Sequence, residues 1–310
     1  MKRFLLKTIG FIIPLFLMVI IALLLPTTPR ASKSLLMAAN AKDSLLIHTP
    51  APRIIFVGGS NLSFGLDSKT IRDALSRNPI NTGISASLGL KFMMDNTIQF
   101  VQKGDIILLI PEYSHFYQDL NTGSEELLRI VFDVNPTKIH LLNLRQLRNI
   151  LAFLPKYALS KYNPTEYTNL EESDIYSVHS FNEFGDTYAH WKLPRKDFSP
   201  FEAINTPFNG EVVEKIKAFH LALNAKGASL YLSYPGYQTT SFNNSRKQIQ
   251  QVEQALKKTG IPILGTPERY QMSDSLMFNT PYHLTKKGVD HRTKLFIDDF
   301  ISEQTKVIDK

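Results

Sequence analysis

Arg53-Ile54-Ile55-Phe56-Val57-Gly58-Gly59-Ser60-Asn61 is the stretch that decides the fold. Ile54–Val57 is an unbroken run of β-branched and aromatic residues. A strand covered by helices on both faces reads this way, because neither face meets water. The glycine pair ends the run and lets the backbone turn sharply. Asp67–Leu75 then reads as a helix with Asp67 or Ser68 at its N-cap. Pro79-Ile80-Asn81-Thr82-Gly83 reads as a short strand, and Leu88–Gln102 as a helix closed by Lys103-Gly104. Asp105–Ile110 is the strongest strand signal, stopped by Pro111. A β-α-β-α-β order implies a parallel sheet with right-handed crossovers. The expected class is therefore α/β, a three-layer α/β/α sandwich with a mainly parallel sheet.

The pattern weakens after that and then resumes. Glu125–Leu154 reads as mostly helical, and residues 156–208, rich in Tyr, Asn, Ser and Pro, as an irregular insertion. Glu211–Lys226 reads as a helix, Ala228–Tyr234 as a strand and Asn244–Gly260 as a helix. Ile261–Leu264 is a short strand, and Lys286–Glu303 a final helix over the sheet.

The N-terminus carries a different signal. Lys2, Arg3 and Lys7 precede Thr8–Leu25, a stretch dominated by Ile, Leu, Phe, Met and Val. With Leu5 and Leu6 it reaches the roughly 20 residues that a membrane-spanning helix needs. Pro26-Thr27-Thr28-Pro29-Arg30 is a poor cleavage site, which favours an uncleaved anchor. Basic residues stay cytoplasmic. The expected organisation is a cytoplasmic tip and transmembrane anchor over 1–30, a linker helix over 31–52, and an extracytoplasmic α/β domain over 53–310. The expected place is the cell (inner) membrane, crossed once.

Composition narrows the chemistry. The chain has 310 residues and no cysteine, so disulfides, thiolate catalysis and zinc–thiolate sites are excluded. Net charge is +7, but the basic residues are scattered, with no basic stripe interleaved with aromatics. Nucleic acid is not an expected partner. No metal site and no cofactor are expected; His179 and His190 stand too far apart to suggest one.

Open parallel sheets build their sites beyond the carboxyl ends of the strands. Ser60 follows the first strand, Gly83 the second, and Glu112-Tyr113 the third; His283 precedes the last helix. A serine exposed above a sheet is a nucleophile if a base reaches it and a third group orients that base. His283 is the candidate base, and Thr280 or Asn279 the candidate orienting group. Asn61, Gly83, Glu112 and Tyr113 are the candidates for oxyanion and substrate binding. Glu112 and His115 could bind a metal or serve acid–base work, although a lone strand-end pair is more often a satisfied turn. Phe181-Asn182-Glu183-Phe184-Gly185-Asp186, with Tyr188, His190 and Trp191, reads either as a glycan platform or as a loop packed by its own rings.

Taken together, these motifs resemble the SGNH/GDSL hydrolase superfamily over roughly 53–115 and 225–300. Val57–Asn61 with Phe64-Gly65 is similar to its first block, Asn81-Thr82-Gly83 to its second, and Asn279–His283 with Leu284 and Gly288 to its last. The resemblance implies a flavodoxin-like sheet, Ser60 as nucleophile, His283 as base, and the Ser60 and Gly83 N–H groups around an oxyanion. The closest flavour is the membrane-anchored branch containing the lipoteichoic-acid D-alanylation protein and the alginate-type O-acetylation proteins. It implies an esterase or O-acyltransferase working on a cell-envelope polysaccharide, with a glycan or acyl donor as ligand and a membrane-bound O-acyltransferase as neighbour. Two positions depart from the pattern. Glu112 stands where the third block has asparagine, and Thr280 or Asn279 where the triad has aspartate. They leave a second expectation open, a catalytically degenerate domain that binds glycan or a membrane partner without chemistry.

Overall fold

A computed structural model describes residues 1–308. The main sheet holds β1 (Arg53–Gly58), β2 (Asn78–Asn81), β3 (Ile106–Ile110), β4 (Ser229–Ser233) and β5 (Ile263–Leu264), in the order β2-β1-β3-β4-β5. All neighbours are parallel. The principal helices are α1 (Lys2–Leu24), α2 (Ala38–His48), α3 (Ser68–Leu75), α4 (Leu90–Ile98), α5 (Leu154–Lys161), α6 (Glu211–Ala225), α7 (Arg246–Lys257) and α8 (Lys286–Ile308).

Strand periodicity sorts the core into two layers. Ile55, Val57, Ile107 and Leu109 face Leu90 and Met93 of α4, Ile216 of α6 and Val252 of α7. Ile54, Phe56, Ile106, Leu108 and Ile110 face Ile71 of α3 and Phe296 and Phe300 of α8. The sheet is thus covered by helices on both sides, as the unbroken apolar strands require. The chain leaves β1 for β2 on one side and returns to β3 on the other. This reversal puts the switch point of the sheet at the carboxyl ends of β1 and β3, where Gly58 pairs with Ile110 and where open parallel sheets place their ligands.

Several boundaries differ from the sequence reading. The segment 125–154 is broken into short pieces by a π-helical turn at Ile130–Val134 and by asparagine caps at Asn135 and Asn143. The helix expected over Asn244–Gly260 is α7, preceded by a short helix absent from the reading, Thr239–Asn244, and parted from it at Ser245, whose φ of −116° leaves the helical region. Met277–Thr280 (β6) and His283–Leu284 (β7) form a small antiparallel hairpin absent from the reading, because strands this short carry no periodicity.

The segment read as a linker does not stand apart from the domain. Leu36, Ala39 and Leu46 are buried in the first core layer, and Arg53 donates to the Leu46 carbonyl at 2.6 Å. α1 is 23 residues long with a mean hydropathy of 2.5, long and apolar enough to cross a membrane.

Candidate functional site

Ser60 opens a single helical turn, Ser60–Ser63, directly after Gly59. Its hydroxyl donates to Glu112 Oε1 at 3.4 Å, and the Asn61 N–H donates to the same oxygen at 3.2 Å. Gly59 is needed for this approach: a Cβ there would stand 2.8 Å from Glu112 Oε1 and 2.9 Å from the Ala86 backbone. The Asn61 side chain is turned away, donating to the Ile110 carbonyl at 3.2 Å. It pins the first turn to the end of β3.

Glu112 is 5% exposed. Burial pushes its carboxyl up to about 7, against the opposing pull of the Asn61 N–H and the Ser60 hydroxyl. Its own backbone N–H donates to His115 Nδ1 at 3.1 Å, so the His115 proton sits on Nε2, which donates to the Ala86 carbonyl at 3.2 Å. Burial holds His115 down at about 4. Both ring nitrogens are occupied, which makes His115 a brace for the Glu112 turn and not an acid or base.

His283 sits in β7. Its Nδ1 lies 2.9 Å from Asn279 Oδ1, while Asn279 Nδ2 donates to the Tyr176 hydroxyl at 2.8 Å. With Oδ1 turned to the ring it accepts, and His283 Nδ1 carries the proton. Nε2 then keeps its lone pair. Asn279, not Thr280, is the orienting group; Thr280 Oγ1 accepts the Tyr282 and His283 backbone N–H groups at 3.3 and 3.1 Å and shapes the hairpin turn. Burial, reinforced by the neighbouring His190, holds His283 down at about 3.

Phe64 touches both the serine turn and the histidine. The His283 ring stacks on Phe64 with centroids 4.0 Å apart, and the Phe64 N–H donates to the Ser60 carbonyl at 2.9 Å, one turn away. The Leu284 N–H donates to the Phe64 carbonyl at 3.2 Å, sewing β7 to that turn. Next door, the Tyr113 N–H donates to the Tyr282 hydroxyl at 3.1 Å, which ties the Glu112 turn to the same hairpin. Among the described residues no hydrogen bond joins Ser60 to the His283 ring; the hydroxyl is held by Glu112 instead.

Neither a family model nor a curated protein matches the chain.

Two expected binding residues are otherwise engaged. The Gly83 N–H donates to Asn81 Oδ1 at 3.0 Å, and its carbonyl accepts from Lys42 and Ser63, so it has no free N–H for an oxyanion. Tyr113 is 1% exposed and packed edge-on against Tyr237, so its ring forms a wall behind the site and touches no opening.

Lys42 was missed by sequence reasoning. It lies on the buried stripe of α2 with Ala38, Ala39 and Leu46. Its ammonium donates to the Asn81 carbonyl at 3.0 Å, to the Gly185 carbonyl at 2.6 Å, and to the Gly83 carbonyl. Burial lowers it to about 7, and Asp186 opposes that shift. A lysine on an apolar helix stripe was the available signal. Asp186 in turn accepts from the Ser68 N–H and hydroxyl and from Asn81 Nδ2, at 2.7–2.8 Å. The insertion is bolted to the rim through these groups.

One cavity adjoins the Tyr282 hairpin and another lies along the insertion. The first, about 220 Å³, is lined by Tyr282, Ser114, Tyr117, Phe201 and Ile204. The other, about 550 Å³, lies against Asp67, Asn182, Glu183, Tyr188 and Trp191. The rings of that second patch are partly taken: Lys42 covers one face of Phe181, Arg72 one of Phe184 and Lys286 one of Trp191. Tyr188 is 46% exposed and is the ring left open to solvent. Among the described residues no group of three or more His, Asp or Glu side chains is placed to hold a metal.

Proposed function

We propose that the chain is a membrane-anchored, SGNH-like serine esterase or O-acyltransferase acting on a cell-envelope polysaccharide outside the membrane, beside a membrane-bound O-acyltransferase. The observation that carries it is the 2.9 Å contact of Asn279 Oδ1 with His283 Nδ1, which would leave Nε2 its lone pair, on a ring stacked against the Phe64 that bonds the Ser60 carbonyl. The β2-β1-β3-β4-β5 order supports the reading, since a flavodoxin-like sheet has that order and binds at its reversal point.

In the reaction, Ser60 Oγ swings from Glu112 toward His283 and attacks the acyl carbonyl of a donor ester. Its proton passes to His283 Nε2. The donor C–O bond breaks, and the leaving alcohol takes that proton. A glycan hydroxyl then attacks acyl-Ser60 and gives its proton to Nε2; as the acyl–Oγ bond breaks, Nε2 passes that proton to Ser60 Oγ, and the glycan departs as the ester. With water in place of the glycan, the product is the free acid. Asn279 serves as the amide does in Cys-His-Asn sites, holding the tautomer without a charge.

Glu112 fits this scheme as an acid. Poised near 7, it is largely neutral in mildly acidic solution, and a buried neutral carboxyl can donate to a developing oxyanion. Above about 7 it ionises and repels that charge. We expect kcat/KM to hold level between about 4 and 6, because His283 stays neutral above about 3, and to fall about tenfold per pH unit well above 7. Glu112→Gln keeps a donor and should remove the alkaline decline. A decline that persists in the variant assigns it to another group.

A second reading has its own observation: the Ser60 hydroxyl is bonded to Glu112 and not to His283. That is the arrangement of a degenerate domain that binds glycan or a membrane partner. A fluorophosphonate separates the two. The full-length chain should gain an adduct on the Ser60 peptide, lost in His283→Ala. An unmodified Ser60 in the folded protein favours the binding domain.

A further inference from the structure

α1 does not leave the domain as a free tether. α5 packs beside its last turns, where Ala22 is fully buried and Leu23 joins the core. The Tyr162 hydroxyl, just past the end of α5, donates to the Met18 carbonyl at 2.6 Å. At 1.5 Å per residue, Met18 lies about 9 Å below Leu24 along the helix axis. If α1 spans a bilayer, the end of α5 sits below the outer end of that span.

The side chains of α5 suit such a depth. Tyr157, Ala158 and Lys161 face the protein, while Leu159 is 68% and Tyr162 39% exposed on the other side. The polar groups at the junction are satisfied internally. Lys161 Nζ reaches Asp133 Oδ1 at 2.7 Å and the Pro26 carbonyl at 3.1 Å, and the Thr27 hydroxyl donates to the Asp133 carbonyl at 2.7 Å. No unpaired charge would be carried into lipid, which is the usual obstacle to burying a loop-linked helix there. Lys156, one turn earlier, points back to Glu125 at 2.6 Å, as a charge at headgroup height would. Tyrosine beside an apolar residue is the pattern of an interfacial belt.

We propose that the Leu159–Tyr162 face of α5 is a second membrane-docking element, immersed in the outer-leaflet interface, and that its occupant is lipid. With α1 it makes a two-point attachment that fixes the tilt of the domain, and hence the height of the Ser60 rim above the bilayer. The inference rests on α1 as a membrane span but is independent of ester chemistry.

The absence of cysteine allows clean labelling. Full-length Leu159→Cys, Phe11→Cys and Leu221→Cys proteins, each carrying an environment-sensitive fluorophore, are reconstituted into phosphatidylcholine–phosphatidylglycerol vesicles containing nitroxide-bearing acyl chains. Leu221, as exposed as Leu159 at 68%, lies on α6 and serves as the aqueous control. We expect the Phe11 and Leu159 labels to lose fluorescence to the nitroxides and the Leu221 label to keep it. A quenched Phe11 with an unquenched Leu159 overturns the docking proposal alone. An unquenched Phe11 overturns the spanning reading and the proposal together. A Leu159 label unquenched in these vesicles but shielded from aqueous iodide in native membranes also overturns it, in favour of a protein partner.

Discussion

Ser60→Ala should lower ester turnover by about 10⁴- to 10⁶-fold if Ser60 forms the acyl intermediate, because removing a nucleophile leaves only binding and oxyanion contacts. The change is small in every other respect. The side chain is half-buried and makes one long hydrogen bond, 3.4 Å to Glu112. Losing it should alter stability by about 1 kcal/mol or less, so circular dichroism and melting should stay near wild type. His283→Ala should give a loss of the same order. The double variant should be little worse than either, since residues acting as a unit are not additive. Turnover of p-nitrophenyl acetate by the full-length chain measures all three. Equal rates in wild type and Ser60→Ala would reject serine chemistry here, whatever the fluorophosphonate result.

The parts of this site that the sequence made legible are those set by local pattern. β1 and β3 announce themselves as unbroken apolar runs, and their carboxyl ends place Ser60 and Glu112 beside each other once the sheet is parallel. No pattern in the sequence links His283 to the first turn; the contact between them runs through Phe64, which stacks on the imidazole. Hidden in the sequence was the use to which each polar group is put. Gly83 fits its motif, yet its N–H is taken by Asn81, a side chain only two positions away whose rotamer no pattern specifies. Asn279 and not Thr280 meets the imidazole because the Thr280 hydroxyl is spent on the hairpin turn, and Tyr176, from the irregular insertion with no visible link to the hairpin, holds the other end of the amide. Glu112 shows the same limit in its electrostatics: a glutamate at a strand end looks like a charge, and only its burial makes it an acid poised near 7.

α2 and the start of β1 carry the last expectation. Arg53 opens β1 and would ordinarily pass for a solvated charge, but it is fully buried. Its Nε donates to Asp105 Oδ1 at 2.8 Å, and Nη2 pairs with Oδ2 of the same carboxylate. Nη1 holds the Leu46 carbonyl at 2.6 Å and Nη2 the Phe100 carbonyl at 2.9 Å. One guanidinium thus ties the end of α2, the turn after α4 and the start of β3 to the first strand. Arg53→Ala leaves the Asp105 carboxylate buried without its cation and strips two carbonyls of their donor. Breaking a buried pair from one side costs about 3–5 kcal/mol. For a domain of this size that corresponds to a drop in Tm on the order of 10 °C. Arg53→Met with Asp105→Leu should recover much of the loss, since apolar groups of similar volume need no counter-charge. Urea denaturation of the detergent-solubilised full-length chain, followed by circular dichroism, compares the three. If Arg53→Ala unfolds at the wild-type midpoint, the pair is not what holds α2 to the sheet, and the apolar contacts of Leu36, Ala39 and Leu46 must do so alone.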